Sequence, residues 1–68
     1  MKHIETKKGL NELLARMERK QAESRSELPE FAYWVAVVKG CIAEGLAMDE
    51  TDFENSPQWL RPLWACLH

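Results

Sequence analysis

The sequence predicts an all-α fold: an antiparallel helical hairpin plus a short C-terminal helix, completed by dimerisation. The central apolar segment, residues 31–48, contains only two charged residues, Lys39 and Glu44. No second strand-like segment exists to pair with it, and a lone strand has no hydrogen-bonded ladder. Apolar residues here and in the flanking segments recur at i, i+3, i+4 and i+7, the spacing of one helix face. We therefore predict one small helical domain, residues 1–68, with helices at 7–23, 27–47 and 57–67.

The first predicted helix is amphipathic. Its apolar face comprises four residues, Leu10, Leu13, Leu14 and Met17, with charged residues opposite. Thr6 is suited to cap its start, and Ser26 is suited to cap the second helix, because both side chains can accept a hydrogen bond from a free backbone N–H. Pro29 is tolerated within a first helical turn. The short connection between the two helices predicts a hairpin.

The second predicted helix is apolar on nearly every side, and a helix of that kind must be buried nearly all round. One row consists of small residues, which would let a neighbouring helix approach closely. We therefore predict close packing at Gly40. One neighbouring helix and one short helix cannot cover this surface, so we expect a second copy of the chain to complete the core. The row comprises Ala32, Ala36, Gly40, Ala43 and Ala47.

The segment after the second helix contains a predicted loop and then the third helix. Gly45 and the acidic residues 49–54 are expected to end the second helix and to form a solvated loop. Ser56 followed by Pro57 is typical of a helix start. Pro62 lies inside the third helix and predicts a kink or a separate first turn.

Charge is distributed unevenly along the chain. Residues 1–25 contain seven Lys and Arg against four Glu, whereas residues 26–68 contain two against seven acidic residues. This asymmetry favours charge pairing between or within chains, or two separately solvated surfaces.

Cys41 and Cys66 are expected to be free thiols, since two cysteines make no disulfide framework. No signal peptide is recognised, so the predicted location is cytoplasmic, with no membrane span because Lys39 and Glu44 interrupt the apolar run.

The sequence contains no pattern typical of an enzyme, a metal site or a cofactor site. Cys41 lies among apolar residues, which raise rather than lower a thiol pKa. His3 and His68 are poorly placed for a base that needs rigid support. The isolated glycines form no phosphate-binding loop, and Cys66 with His68 lacks a second pair of ligands. We expect no enzymatic activity, no metal and no cofactor.

Binding to another protein is the function that the sequence favours. Aromatic residues are concentrated in residues 31–64 and are enriched at interface hot spots, although for any single one of them a place in the core is the better interpretation. We predict a small regulator, adaptor or inhibitor that binds a protein partner and also itself. The predicted apolar contacts are Phe31, Trp34, Val38, Trp59, Leu63 and Trp64, and the predicted polar contacts are Arg16, Arg19 and Lys20.

Two alternatives remain open. The basic first helix, presented twice in a dimer, could bind the phosphates of a nucleic acid, although interleaved glutamates and the overall acidity oppose this. The other alternative is a membrane-active toxin whose apolar helix lies on the surface of a bilayer. The chain resembles short helical regulators of bacteria and their phages in size, but no sequence motif supports this resemblance.

Overall fold

The computed structural model describes residues 4–67, and within this range the chain is mostly helical. An isolated antiparallel bridge joins Ile4 to Met48, and residues 4–67 contain no strand. The predicted all-α class is confirmed. The four helices of this range are α1 (Lys7–Glu23), α2 (Phe31–Glu44), α3 (Glu50–Asn55) and α4 (Leu60–Ala65).

Helix α1 has the bounds that the sequence predicts. Thr6 caps it, because its Oγ1 accepts a hydrogen bond from the Gly9 N–H at 3.0 Å. This bond satisfies one of the N–H groups that have no partner in the first helical turn. Leu10, Leu13 and Met17 are buried along the apolar face.

Helix α2 is shorter at both ends than the predicted 27–47. Ser26 does not cap it, because the residue that precedes α2 is Glu30. The Ser26 carbonyl instead accepts from the side chains of Gln21 and Ser24, which holds this segment in a turn beside α1. Glu30 precedes α2 with a φ of 57°, a left-handed conformation that few non-glycine residues adopt. Gly45 ends the helix with a φ of 68°, as glycine does at many helix ends.

The predicted acidic loop is wrong, because part of it forms helix α3. Asp49 Oδ1 accepts from the Asp52 N–H, and Asp52 Oδ2 accepts from the Asp49 N–H, both at 3.1 Å. This reciprocal pair is a capping box, which satisfies two free N–H groups at the start of the helix.

The third predicted helix begins later than expected. Ser56 ends α3 instead of capping the next helix. A separate turn follows, in which the Leu60 N–H donates to the Pro57 carbonyl at 3.0 Å. Pro62 lies in the first turn of α4, where its missing N–H removes no helical hydrogen bond.

Helix α1 packs against both α2 and α4, and the core lies between these three helices. The Cα radius of gyration is 11.0 Å, close to the roughly 11 Å of a folded domain of this length. Within residues 4–67, nine large apolar side chains are buried and others pack against them in part. Among the described residues, only Tyr33 and Leu46 are large hydrophobic side chains that remain exposed. The buried core comprises Ile4, Leu10, Leu13, Met17, Trp34, Val38, Met48, Leu60 and Trp64.

The prediction of close packing at Gly40 is wrong within the chain. A Cβ added at Gly40 would meet no atom within 4 Å, and Ala36 and Ala43 on the same row are exposed. The reason is that α2 turns the opposite side, with Trp34 and Val38, towards the core.

Candidate binding site

Three of the six predicted apolar contacts belong to the core. Trp34 is 5% exposed, and Val38 and Trp64 are fully buried. The Trp64 ring packs edge-on against Phe53 with 5.4 Å between centroids. In the folded chain these three side chains stabilise the fold, so they are core residues and not exposed contacts.

The other three predicted contacts are half-buried. The Phe31 and Trp59 rings lie 5.9 Å apart, and the Trp59 indole N–H donates to the Pro29 carbonyl at 2.9 Å. This bond joins the segment before α2 to the turn before α4. Leu63 is also half-buried against the core, from α4. All three side chains therefore keep part of their apolar surface open to a partner.

The structure brings the predicted polar contacts together with one of the apolar contacts. Arg16, Arg19 and Lys20 of α1 line a cleft with Leu63 of α4, and its volume is about 100 Å³. We name it the basic cleft. Among the described residues, Glu23 contributes the one carboxylate that lines this cleft, beside three cationic side chains.

Arg16 of the basic cleft has one ionic contact and one buried N–H group without an acceptor among the described residues. Its Nη2 is 3.5 Å from Glu12 Oε1, one helical turn earlier, while its Nε is buried and has no acceptor among residues 4–67. A buried N–H without a partner costs free energy. The Arg16 side chain is 34% exposed, so the exposed part of its guanidinium group can bind an incoming carboxylate or phosphate oxygen.

A second cleft has the opposite charge. Its volume is about 290 Å³, and it lies between α2 and α3 with two carboxylates on its walls. The sequence analysis did not predict this cleft, because α3 was predicted as a loop. The spacing of Asp49 and Asp52, which is that of a capping box, could have indicated the helix. Asp52 Oδ2 is already engaged in that capping box. The lining residues are Glu30, Tyr33, Trp34, Val37, Asp52 and Asn55.

Cys41 and Cys66 are free thiols with different surroundings. Cys41 is half-buried, and burial raises its pKa, with smaller contributions from the negative charges of Asp52 and Glu44. Its thiol is therefore a poor nucleophile at neutral pH. Cys66 is exposed.

Neither a metal cluster nor a membrane-spanning helix is found in the described part of the chain. Across residues 4–67, no three His, Cys, Asp or Glu side chains gather where they could hold a metal ion. No helix in the same range is long and apolar enough to cross a membrane. His3 and His68 lie outside the described residues.

No protein-family model, no curated protein and no solved structure matches the chain.

Proposed function

We propose that the chain is a small helical regulator, adaptor or inhibitor that acts by binding another protein through the basic cleft. One observation carries the proposal: Arg16, Arg19 and Lys20 share a cleft with Leu63. In this proposal α1 and α2 form an antiparallel hairpin, the protein self-associates in the cytoplasm, and it catalyses no reaction.

The combination of charge and apolar surface favours a protein partner. Leu63 offers the cleft an apolar wall, and the half-buried Phe31 and Trp59 rings offer further apolar surface. Interfaces between proteins combine an apolar centre with a polar rim, and arginine and aromatic residues are enriched in them. The partner that fits has a carboxylate next to an aliphatic or aromatic side chain.

Nucleic acid is the second candidate, and the three cations of the basic cleft are the observation that favours it. Phosphate binding alone would not use Leu63. Glu12 and Glu23, beside the cations, oppose a run of phosphates, as does the net charge of −2. We therefore rank it below a protein partner.

Site-specific photo-crosslinking in cells of the source organism tests the proposal. A photoreactive residue replaces Arg19 in one variant and Leu63 in another, and the exposed Lys8 outside the cleft in the control. We expect the two cleft variants, but not the control, to yield the same protein adduct, and nuclease treatment to leave it unchanged. Adducts that disappear with nuclease, or that form equally at Lys8, would contradict a protein partner at this cleft.

Titration with a 20-base-pair DNA duplex separates the two candidates further. If phosphate contacts dominate, affinity falls steeply between 50 and 200 mM salt, by about a thousandfold for roughly six contacts. We expect no such binding by the wild type. Salt-dependent DNA binding that is lost in an Arg19→Ala, Lys20→Ala variant would establish the nucleic-acid function instead.

A further inference from the structure

The side of α2 that faces away from the core consists mainly of small residues. Tyr33 is 61% exposed on it, and Gly40 has open space where a Cβ would stand. Lys39 and Glu44 are its only charged residues, and both are exposed. We name this surface the outer face of α2. It comprises Ala32, Tyr33, Ala36, Lys39, Gly40, Ala43 and Glu44.

The residues of the outer face follow the spacing of a coiled-coil seam. Tyr33, Ala36, Gly40 and Ala43 are separated by three, four and three positions, which is the alternation of a and d in a heptad. In this heptad assignment Lys39 occupies a g position, and Glu44 occupies the e position of the next heptad. These are the two flanking positions whose side chains form ion pairs between helices.

The charges on the two edges are complementary for only one orientation of two identical helices. In a parallel pair, a g residue meets the e residue five positions later on the other helix, and Glu44 is five positions after Lys39. In an antiparallel pair, g positions lie beside g positions and e positions beside e positions, so Lys39 would lie on the same side of the seam as the other copy's Lys39, and Glu44 on the same side as the other copy's Glu44. Like charges placed opposite each other oppose association.

We propose that a second copy of this chain docks on the outer face of α2, with the two α2 helices parallel and related by a twofold axis. Lys39 of each copy pairs with Glu44 of the other. The inference deepens the self-association in the proposed function by naming its surface and geometry. That surface differs from Phe31, Trp59 and Leu63, which lie on the half-buried rim of the core.

The small side chains explain why two helices can approach closely here. Ala36, Gly40 and Ala43 add little thickness, so the axes can reach about 8 Å, the lower limit for packed helices. Tyr33 gives the seam its large apolar side chain. The seam lies within the 14 residues of α2, so we expect a dimer that forms in the upper micromolar range.

Sedimentation equilibrium with charge-reversal variants tests both the surface and its orientation. The wild type is expected to dimerise, and Lys39→Glu and Glu44→Lys are each expected to weaken dimerisation about tenfold, because each creates two like-charge pairs per dimer. The double variant Lys39→Glu, Glu44→Lys restores the parallel pairs and should dimerise like the wild type. Lys8→Glu, on α1, is the matched control and should change nothing.

Each outcome supports or overturns the proposal. Mixing the two single variants should give a heterodimer tighter than either homodimer, and Gly40→Leu should abolish dimerisation while circular dichroism shows the fold unchanged. A wild type that stays monomeric to 1 mM overturns the proposal, as does a dimer indifferent to both charge reversals. Failure of these tests would leave the crosslinking result at the basic cleft unaffected, since Arg16, Arg19, Lys20 and Leu63 lie on α1 and α4.

Discussion

Replacing each of the two helical glycines with alanine should change stability in opposite directions. Gly9 lies in the first turn of α1 and Gly40 in α2. In a helix alanine is favoured over glycine by up to about 1 kcal/mol. The two sites differ in what the added methyl group would meet.

At Gly40 the methyl group meets no atom within 4 Å. Gly40→Ala should therefore raise the free energy of unfolding by about 0.5–1 kcal/mol. At Gly9 the methyl carbon would lie 2.9 Å from Ile4 Cγ2 and 3.1 Å from Thr6 Oγ1. Ile4 is 4% exposed and cannot move away cheaply, because two backbone hydrogen bonds hold it to Met48.

Overpacking of this kind costs about 1–3 kcal/mol, which exceeds the gain in helix propensity. Gly9→Ala should therefore lower the free energy of unfolding by about 1 kcal/mol. For a domain of this size the melting temperature moves by about 4–8 °C per kcal/mol. Gly40→Ala should thus melt several degrees above the wild type and Gly9→Ala several degrees below.

Urea unfolding followed by far-ultraviolet circular dichroism measures both changes. At about 5 μM protein, a concentration below the expected dimerisation range, the transition reports on the monomer. The dependence of the unfolding free energy on urea should be the same for all three proteins. A destabilising Gly40→Ala would mean that the chain itself covers the outer face of α2. A stabilising Gly9→Ala would mean that Ile4 does not pack on α1.

Three further predictions concern the core, the capping box and the thiols. Leu13→Ala should destabilise the protein by about 2–5 kcal/mol, because Leu13 is fully buried; a melt within 1 °C of the wild type would refute its place in the core. Asp49→Ala should cost about 1 kcal/mol and Asp49→Asn only a few tenths, since asparagine also caps; equal losses in urea unfolding would argue against the capping box. Iodoacetamide at pH 8 should modify Cys66 before Cys41, because Cys66 is exposed and burial raises the pKa of Cys41 and reduces its thiolate; peptide mass spectrometry showing the reverse order would contradict this.

Periodicity predicted α1 well because that helix has one apolar face and a capping residue next to it in sequence. It predicted the extent of α2 less well. Gln21 holds the following turn through its side-chain bonds to the Ser26 carbonyl and the Leu28 N–H. Nothing in the local pattern indicates that a side chain of α1 takes these hydrogen bonds, so the second helix was predicted to begin too early.

The direction in which α2 faces could not be predicted, for a different reason. A helix that is apolar on all sides has no preferred inner face, so periodicity does not decide whether Trp34 or Gly40 meets α1. Packing decides it, since the large Trp34 and Val38 bury more apolar area than the small residues. For the same reason Trp34 and Trp64 belong to the core although they were predicted as contacts. Arg16, Arg19, Lys20 and Leu63 were identified individually, but only the packing of α4 on α1 places them in one cleft.

The bridge between Ile4 and Met48 has a consequence for local opening of the fold. The Ile4 N–H donates to the Met48 carbonyl at 2.9 Å, and the Met48 N–H donates to the Ile4 carbonyl at 3.0 Å. The two residues enclose α1 and α2 between them, and both are buried. Neither amide proton can exchange with solvent deuterium unless this bridge opens, so the two should show similar protection factors. Hydrogen exchange at these two amides, 44 positions apart in the chain, would thus report how often the unit formed by α1 and α2 opens.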